Sequence, residues 1–304
     1  MTVTVHIIIG FLGSGKTSAL LHILHNSAHF EKIGVIVGEF ADEGYDGHKL
    51  KQAGFPVEML SGVGRQDQIK AYLNTLHNMV NSEKYQRIFL ETSGATEANK
   101  LVAALTQDDA FAEKITFGRT INVISGADYD HYTEHFTDQV YSQLNYADLV
   151  VLNKIDKVSP EDRLRIKDEI AALNPQCQIE LVYMGQVARR SVVSEFPEGS
   201  ISRLLSYSSD SGLPKEFESF VYRTDKKCVN RVIFGHTLLN LTGRIARFKG
   251  VLSCYDRSYG INGVPGQLDW STGEVTGDTR IAIIGLDLND IKDQICEALD
   301  ASLS

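Results

Sequence analysis

Eight consecutive residues, Gly10-Phe11-Leu12-Gly13-Ser14-Gly15-Lys16-Thr17, fit the pattern GxxxxGK[ST]. Each residue type in that pattern has a reason when the ligand is a polyphosphate. Glycines let successive backbone N–H groups converge on one anion, and a helix start adds the positive end of its dipole. The Lys16 ammonium reaches the β- and γ-phosphates, and the Thr17 hydroxyl is a hard oxygen ligand for Mg²⁺.

A second string selects the base. Asn153-Lys154-Ile155-Asp156 follows directly on the apolar run YADLVVL. The Asp156 carboxylate can accept from guanine N1–H and N2–H₂, while the Asn153 amide and the Lys154 stem fix the ring. Adenine has no such paired donors, so a buried carboxylate there would lose its partners. GTP is therefore expected over ATP. Two further acidic groups lie at the ends of apolar runs. Glu91 closes RIFL within Glu91-Thr92-Ser93-Gly94, and Glu39, Asp42 and Glu43 follow GVIVG. Magnesium keeps several waters and takes only one or two carboxylates. Its predicted ligands are Thr17, Glu39, Asp42 and Glu91. No spacing singles out a base for the hydrolytic water.

Such loops need strands to deliver them. Apolar runs at 3–9, 33–37, 57–60, 87–90, 120–124, 149–152 and 179–182 read as strands, with helical stretches between most of them. Among these helices, 67–80 buries one face and 160–173 is charged. This alternation predicts an α/β fold, a P-loop NTPase parallel sheet with helices on both faces. Between about Arg189 and Pro214 the pattern fades into Ser, Gly, Pro and charge, marking a boundary. The expected division is a nucleotide domain at 1–205 and a smaller α+β unit at 214–304. In the latter, strands at 217–222, 245–254, 258–270 and 279–284 and helices at 232–241 and 288–299 resemble a split βαβ sheet.

Composition narrows the rest. The chain has 304 residues and a formal net charge of −9, which disfavours nucleic acid as a partner. Cys177, Cys228, Cys254 and Cys296 form no CxxC, the pattern of reduced thiols in a cytoplasmic protein. No stretch is long enough to span a membrane, and the N-terminus lacks the build of a signal peptide.

Together GFLGSGKTS, GEFADEGYDG, ETSG, NKID and RFKG at 247–250 resemble the CobW-type family of P-loop GTPases. The segment RIAIIGLDLNDIKDQI is similar to the family's closing strand and helix. The resemblance implies a slow Mg²⁺-dependent GTPase linked to metallochaperone or cofactor-assembly work, as a homodimer or with a client protein. It carries nucleotide roles onto Gly13 to Ser18 and onto Asn153, Lys154 and Asp156, with magnesium or switch roles on Thr17, Glu39, Asp42 and Glu91. There are departures. The family's Gly-Cys-x-Cys-Cys motif is replaced by Ser61-Gly62-Val63-Gly64-Arg65-Gln66. Val cannot ligate a metal and Arg is a permanent cation, so no soft donor remains there. The family's NEFGE reads Gly38-Glu39-Phe40-Ala41-Asp42, and its Asp after the fifth strand has become Ser125 or Gly126.

The expected function is thus a GTP-gated assembly or activation factor for a client metalloprotein or cofactor-dependent enzyme. An alternative is a metallochaperone using histidines and acids. His131 and His135 form an i, i+4 pair among Asp128, Asp130 and Glu134, and His22, His25 and His29 follow the phosphate loop. Polar helix faces are the blander explanation for both. A second alternative, a P-loop small-molecule kinase, is disfavoured by NKID and the lack of a lid-like arginine cluster.

Overall fold

The computed structural model describes residues 2–27, 31–38, 45–60, 65–94, 98–111, 113–193, 217–241, 244–264, 267–272 and 278–303. The chain divides into two compact units, Met1–Pro214 and Lys215–Ser304.

The first unit is a seven-stranded sheet in the order β3-β2-β4-β1-β5-β6-β7. Its strands are β1 (Val3–Ile9), β2 (Ile33–Gly38), β3 (Val57–Leu60), β4 (Arg87–Glu91), β5 (Ile115–Ser125), β6 (Leu149–Asn153) and β7 (Gln178–Leu181). Every pairing is parallel. The helices are α1 (Lys16–Ser27), α2 (Tyr45–Gln52), α3 (Arg65–Asn81), α4 (Ala98–Gln107), α5 (Tyr129–His135), α6 (Thr137–Asn145), α7 (Pro160–Leu173) and α8 (Arg189–Val193).

Strand β1 shows why the apolar runs are nearly unbroken. Val3, Val5, Ile7 and Ile9 face a core shared with Tyr72, Leu76, Leu101 and Leu105 of α3 and α4. Ile8 points the other way, among Ala19, Leu20, Ile23 and Leu24 of α1. A parallel sheet covered on both faces has no polar side, so alternation disappears from its strands. Each buried Leu or Ile contributes on the order of 1.5–3 kcal/mol.

The expected P-loop sheet is present, with adjustments at element ends. The predicted strand 120–124 extends back to Ile115, because Gly118 leaves room for His6. A Cβ at Gly118 would stand 2.5 Å from that imidazole. Helix α3 begins at Arg65, and the closing turn near 288 is 3-10 (Leu288–Asp290), preceded by Asp287 at a φ of 49°.

The second unit is an antiparallel sheet, order β11-β10-β9-β12-β8. Its strands are β8 (Phe217–Thr224), β9 (Ile245–Ser253), β10 (Ser258–Val264), β11 (Gln267–Thr272) and β12 (Thr279–Leu286). Its helices are α9 (Arg231–Asn240) and α10 (Lys292–Ala301). β8, α9 and β9 make the split βαβ unit, with β12 inserted between its two strands. The single strand expected at 258–270 is instead the hairpin β10–β11. The core joins Phe234 and Leu238 of α9 and Ile295 and Leu299 of α10 to Phe248, Leu252, Ile281 and Ile283 of the sheet. Cys228 and Cys254 meet in an isolated bridge as free, buried thiols. Burial raises the pKa of both, pushing Cys254 up to about 12.

His6 is buried at the centre of the first sheet, accepting at Nδ1 from the Arg119 N–H at 2.8 Å. Burial first, and then the Arg87 guanidinium beside the ring, lowers its pKa to about 3. The unfolded chain therefore takes up a proton near the ordinary histidine value, which the folded chain refuses until about pH 3. The stability that a neutral His6 contributes is fully present above the ordinary value and is lost progressively as pH falls toward 3, at up to about 1.4 kcal/mol per pH unit. Urea unfolding midpoints are expected to fall between pH 7 and pH 5. In His6→Asn the drop should be shallower; an equal drop in both proteins would assign the acid sensitivity to other groups.

Candidate nucleotide site

The site lies where the carboxyl ends of four neighbouring strands, β4, β1, β5 and β6, come together. In an open parallel sheet this is where a crevice forms, because connections leave to opposite faces on either side of β1. β1 delivers the loop at 10–15, and α1 begins at Lys16.

The loop has the backbone its glycines allow. Gly10, Gly13 and Gly15 have φ of 141°, 74° and 99°, a region side chains rarely enter. At Gly10 a Cβ would stand 2.2 Å from the Val123 carbonyl oxygen, and at Gly15 2.3 Å from the Asn153 amide nitrogen. Lys16 Nζ donates to the carbonyls of Gly10 at 3.0 Å and Phe11 at 3.1 Å. The ammonium is thus folded over the loop it belongs to. Ser14 is fully buried, and its hydroxyl has no hydrogen-bond partner among the described residues. Ser18 is exposed at the first turn of α1.

Thr17 Oγ1 donates to Glu91 Oε1 at 2.7 Å across the β1–β4 junction. Glu91 is buried. These two groups present a hydroxyl and a carboxylate side by side, a donor set that suits a hard divalent cation taking few protein oxygens. Glu39 and Asp42, also predicted as metal ligands, lie outside the described residues, as do 61–64. Gly94 packs directly on Leu12, where a Cβ would come within 2.7–2.8 Å of its side chain and backbone nitrogen.

The base string divides its labour. Asn153 ends β6 and is buried; its amide donates to the Ser14 carbonyl at 2.9 Å and accepts from the Gly185 N–H at 3.0 Å. It thereby ties the phosphate loop to the turn after β7. Gly185 itself sits at a φ of 73°, with a Cβ position 2.7 Å from the Ala19 nitrogen of α1. Lys154 occupies the left-handed region at φ 57° and ψ 34°. Its Nζ donates to Asp128 Oδ2 at 2.9 Å, and the Ser125 hydroxyl donates to the same oxygen at 2.6 Å. Asp156 follows in a 3-10 turn (Ile155–Lys157) and is exposed rather than buried.

Three bracing residues escaped the sequence reading. Gly185 carried no signal beyond being a glycine after a strand. Tyr132 donates its hydroxyl to the Leu12 carbonyl at 2.9 Å, and its ring lies 4.0 Å from that of Phe11. Asp128 is the third; in the sequence it stands out only as a neighbour of the histidine pair. His131 and His135 do pack together, ring centroids 4.7 Å apart. Burial, then the second imidazole, lowers the pKa of His131. No group of three or more His, Cys, Asp or Glu that can hold a metal is found among the described residues. His29 lies outside them, and His25 packs edge-on against Phe55.

A parallel sheet, a glycine loop closing on its own lysine and a helix springing from that loop define a P-loop nucleotide-binding protein. Residues 4–180 match the CobW/HypB/UreG nucleotide-binding domain, and residues 217–303 match the cobalamin synthesis protein cobW C-terminal domain. The chain belongs to the CobW/HypB/UreG family, whose members are GTPases. It is 25% identical over 338 residues to a protein named zinc chaperone CobW of Sinorhizobium sp, covering 92% of each chain. It is 24% identical over 264 residues to the zinc chaperone YjiA of Escherichia coli, covering 82% of this chain and 81% of that one. Against the crystal structure of Zn(II)-bound YjiA GTPase from E. coli the TM-score is 0.45 at 19% identity, with both chains covered in full. No helix among the described residues is long and apolar enough to cross a membrane.

The double tether through Asn153 yields a prediction. Asn153→Ala removes both hydrogen bonds and leaves the Ser14 carbonyl and the Gly185 N–H without this partner. A loss of about 1–3 kcal/mol in unfolding free energy is expected from denaturant titration. A loss within ±0.5 kcal/mol, the range of ordinary surface changes, would mean that solvent replaces the tether.

Proposed function

We propose that this chain binds GTP with Mg²⁺ and hydrolyses it slowly, and that the nucleotide state gates its grip on a client metalloprotein or cofactor-dependent enzyme. Residues 1–205 would act as the nucleotide domain and 214–304 as the smaller one. The observation carrying this reading is the side-chain amide of Asn153, which holds the phosphate loop and the base string in one framework. Phosphates would replace the Gly10 and Phe11 carbonyls as partners of Lys16 and meet the N–H groups of residues 13–18. The buried Ser14 hydroxyl is a polar atom already in place for such a ligand. Thr17 and Glu91 would hold Mg²⁺, which supplies charge neutralisation at the β- and γ-phosphates. Asp156 would accept from guanine, with Lys154 along the ring. The segments carrying Glu39, Asp42 and 61–66 would respond to the γ-phosphate, which is how a local contact becomes a change in affinity for a partner.

A metal-carrying role is the second reading, since two relatives are named zinc chaperones. Against it stand Val63, Arg65 and Gln66 in place of thiolates, and a histidine pair lacking a third ligand among the described residues. Calorimetry decides the nucleotide question. GTP is expected to bind at least about tenfold more tightly than ATP, a difference of roughly 1.4 kcal/mol. Asp156→Asn should remove most of that preference, and Thr17→Ala should remove the dependence on Mg²⁺. ATP binding more tightly than GTP, with that preference unchanged in Asp156→Asn, would return the kinase reading. Zinc titration of the purified protein tests the cargo question: stoichiometric micromolar binding, abolished by His131→Ala with His135→Ala, would replace the gated-factor reading with the metallochaperone one.

A further inference from the structure

We propose that Asp128 is the positioning residue of the base site, holding Lys154 so that Asp156 can read guanine. The inference rests on the GTP reading above and goes beyond it by adding a residue from a different strand end.

Asp128 stands at the N-cap of α5, where an aspartate ordinarily accepts from the first free N–H groups of its helix. It makes no such bond. Its carboxylate turns instead toward β6, where Oδ2 accepts from Lys154 Nζ at 2.9 Å. The side chain is 6% exposed and that of Lys154 is 27% exposed. A carboxylate so far out of water needs a cation and further donors. The second donor is the Ser125 hydroxyl at 2.6 Å, on the same oxygen. The two donors fix the rotamer of Asp128, and through it the end of the lysine.

The other end of Lys154 is fixed as well. Its backbone is left-handed, a conformation unfavourable for a non-glycine residue that persists only where the surroundings impose it. Close packing of the Ser125–Asp128 turn on the base string supplies that constraint. A Cβ at Gly126 would lie 3.0 Å from a Val158 methyl and 3.4 Å from the Asn153 carbonyl oxygen. With both ends held, the aliphatic stem forms a rail beside the exposed Asp156. A purine laid along this rail meets the Asp156 carboxylate in one orientation. Guanine then forms its paired hydrogen bonds, while adenine gains nothing from the same placement.

Removing the tether should therefore act on discrimination rather than on phosphate binding. Asp128→Asn keeps the volume and an oxygen for Ser125 but removes the charge. Its GTP affinity is expected to fall about tenfold and its ATP affinity by less than about threefold, so the GTP:ATP ratio collapses. The loss should be absent when Asp128→Asn is added to Lys154→Met, since the ammonium is already gone. Ser125→Ala, a milder change, should lower the ratio by about threefold and serves if Asp128→Asn does not fold. The measurement is calorimetric titration of the full chain with GTP and ATP in the presence of Mg²⁺. A wild-type ratio in folded Asp128→Asn, or in Ser125→Ala where that is the variant in hand, overturns the proposal, as does full additivity with Lys154→Met. A wild-type protein with no preference for GTP refutes the underlying nucleotide reading instead.

Discussion

The candidate site depends on one side-chain amide. Asn153 carries a donor and an acceptor on one planar amide, and it uses them on backbone groups far apart in the chain, at Ser14 and Gly185. The donor reaches the loop after β1, and the acceptor takes the N–H of the turn after β7. No other residue type of this size offers both functions on a planar group. Gly15 is the complement to that choice. Only a residue without a side chain lets the amide come so near the loop, and only such a residue takes the φ of 99° found there. The glycine usually explained by phosphate approach is therefore required by the protein's own framework before any ligand arrives.

The rest of the loop is arranged on the same principle. Lys16 is folded onto two carbonyls of its own loop, and Thr17 is bonded to Glu91. These groups have partners now, so a ligand exchanges hydrogen bonds rather than creating order. That lowers the ordering cost of binding, which a floppy glycine loop would otherwise impose. Tyr132 extends the bracing to the Leu12 carbonyl from α5. Helix α5 and the turn before it thus touch the phosphate loop with one residue and the base string with another. The two ends of the site share a brace as well as a strut.

How much of this the sequence discloses follows from the range of the forces involved. The phosphate loop and the strand before it are local, since β-branched residues, glycine spacing and a helix start lie within one window. The parallel sheet is legible because two-sided burial erases alternation, as Val3 to Ile9 show. The partners Asn153 and Ser14 are separated by most of the domain, and nothing in either segment names the other. Asp128 is hard to place for a related reason. With His131 and His135 it reads as part of a polar helix face, while its partner, Lys154, comes from the next strand. The hairpin within 258–270 carries a turn signal, Pro265-Gly266, but β10 and β11 are too mixed in polarity for periodicity to separate them.

The departures at 61–66 and at the end of β5 have different physical meanings. At the end of β5, the position where the family carries an aspartate holds Ser125 or Gly126, yet a carboxylate is still present, delivered by Asp128 one turn later and oriented by Ser125. At 61–66 the sequence itself supplies no thiolate. Thiolates are soft, polarizable donors, and valine, arginine and glutamine have no equivalent at any rotamer. The four cysteines of the chain lie elsewhere. Cys228 and Cys254 are buried in the second unit, where burial raises the pKa of both thiols. A nucleotide switch needs only its own loops to remain in register, whereas a cargo site needs specific atoms. The segment 61–66 lacks the thiolates of the family motif, while among the described residues the phosphate loop stays tied to the end of β6.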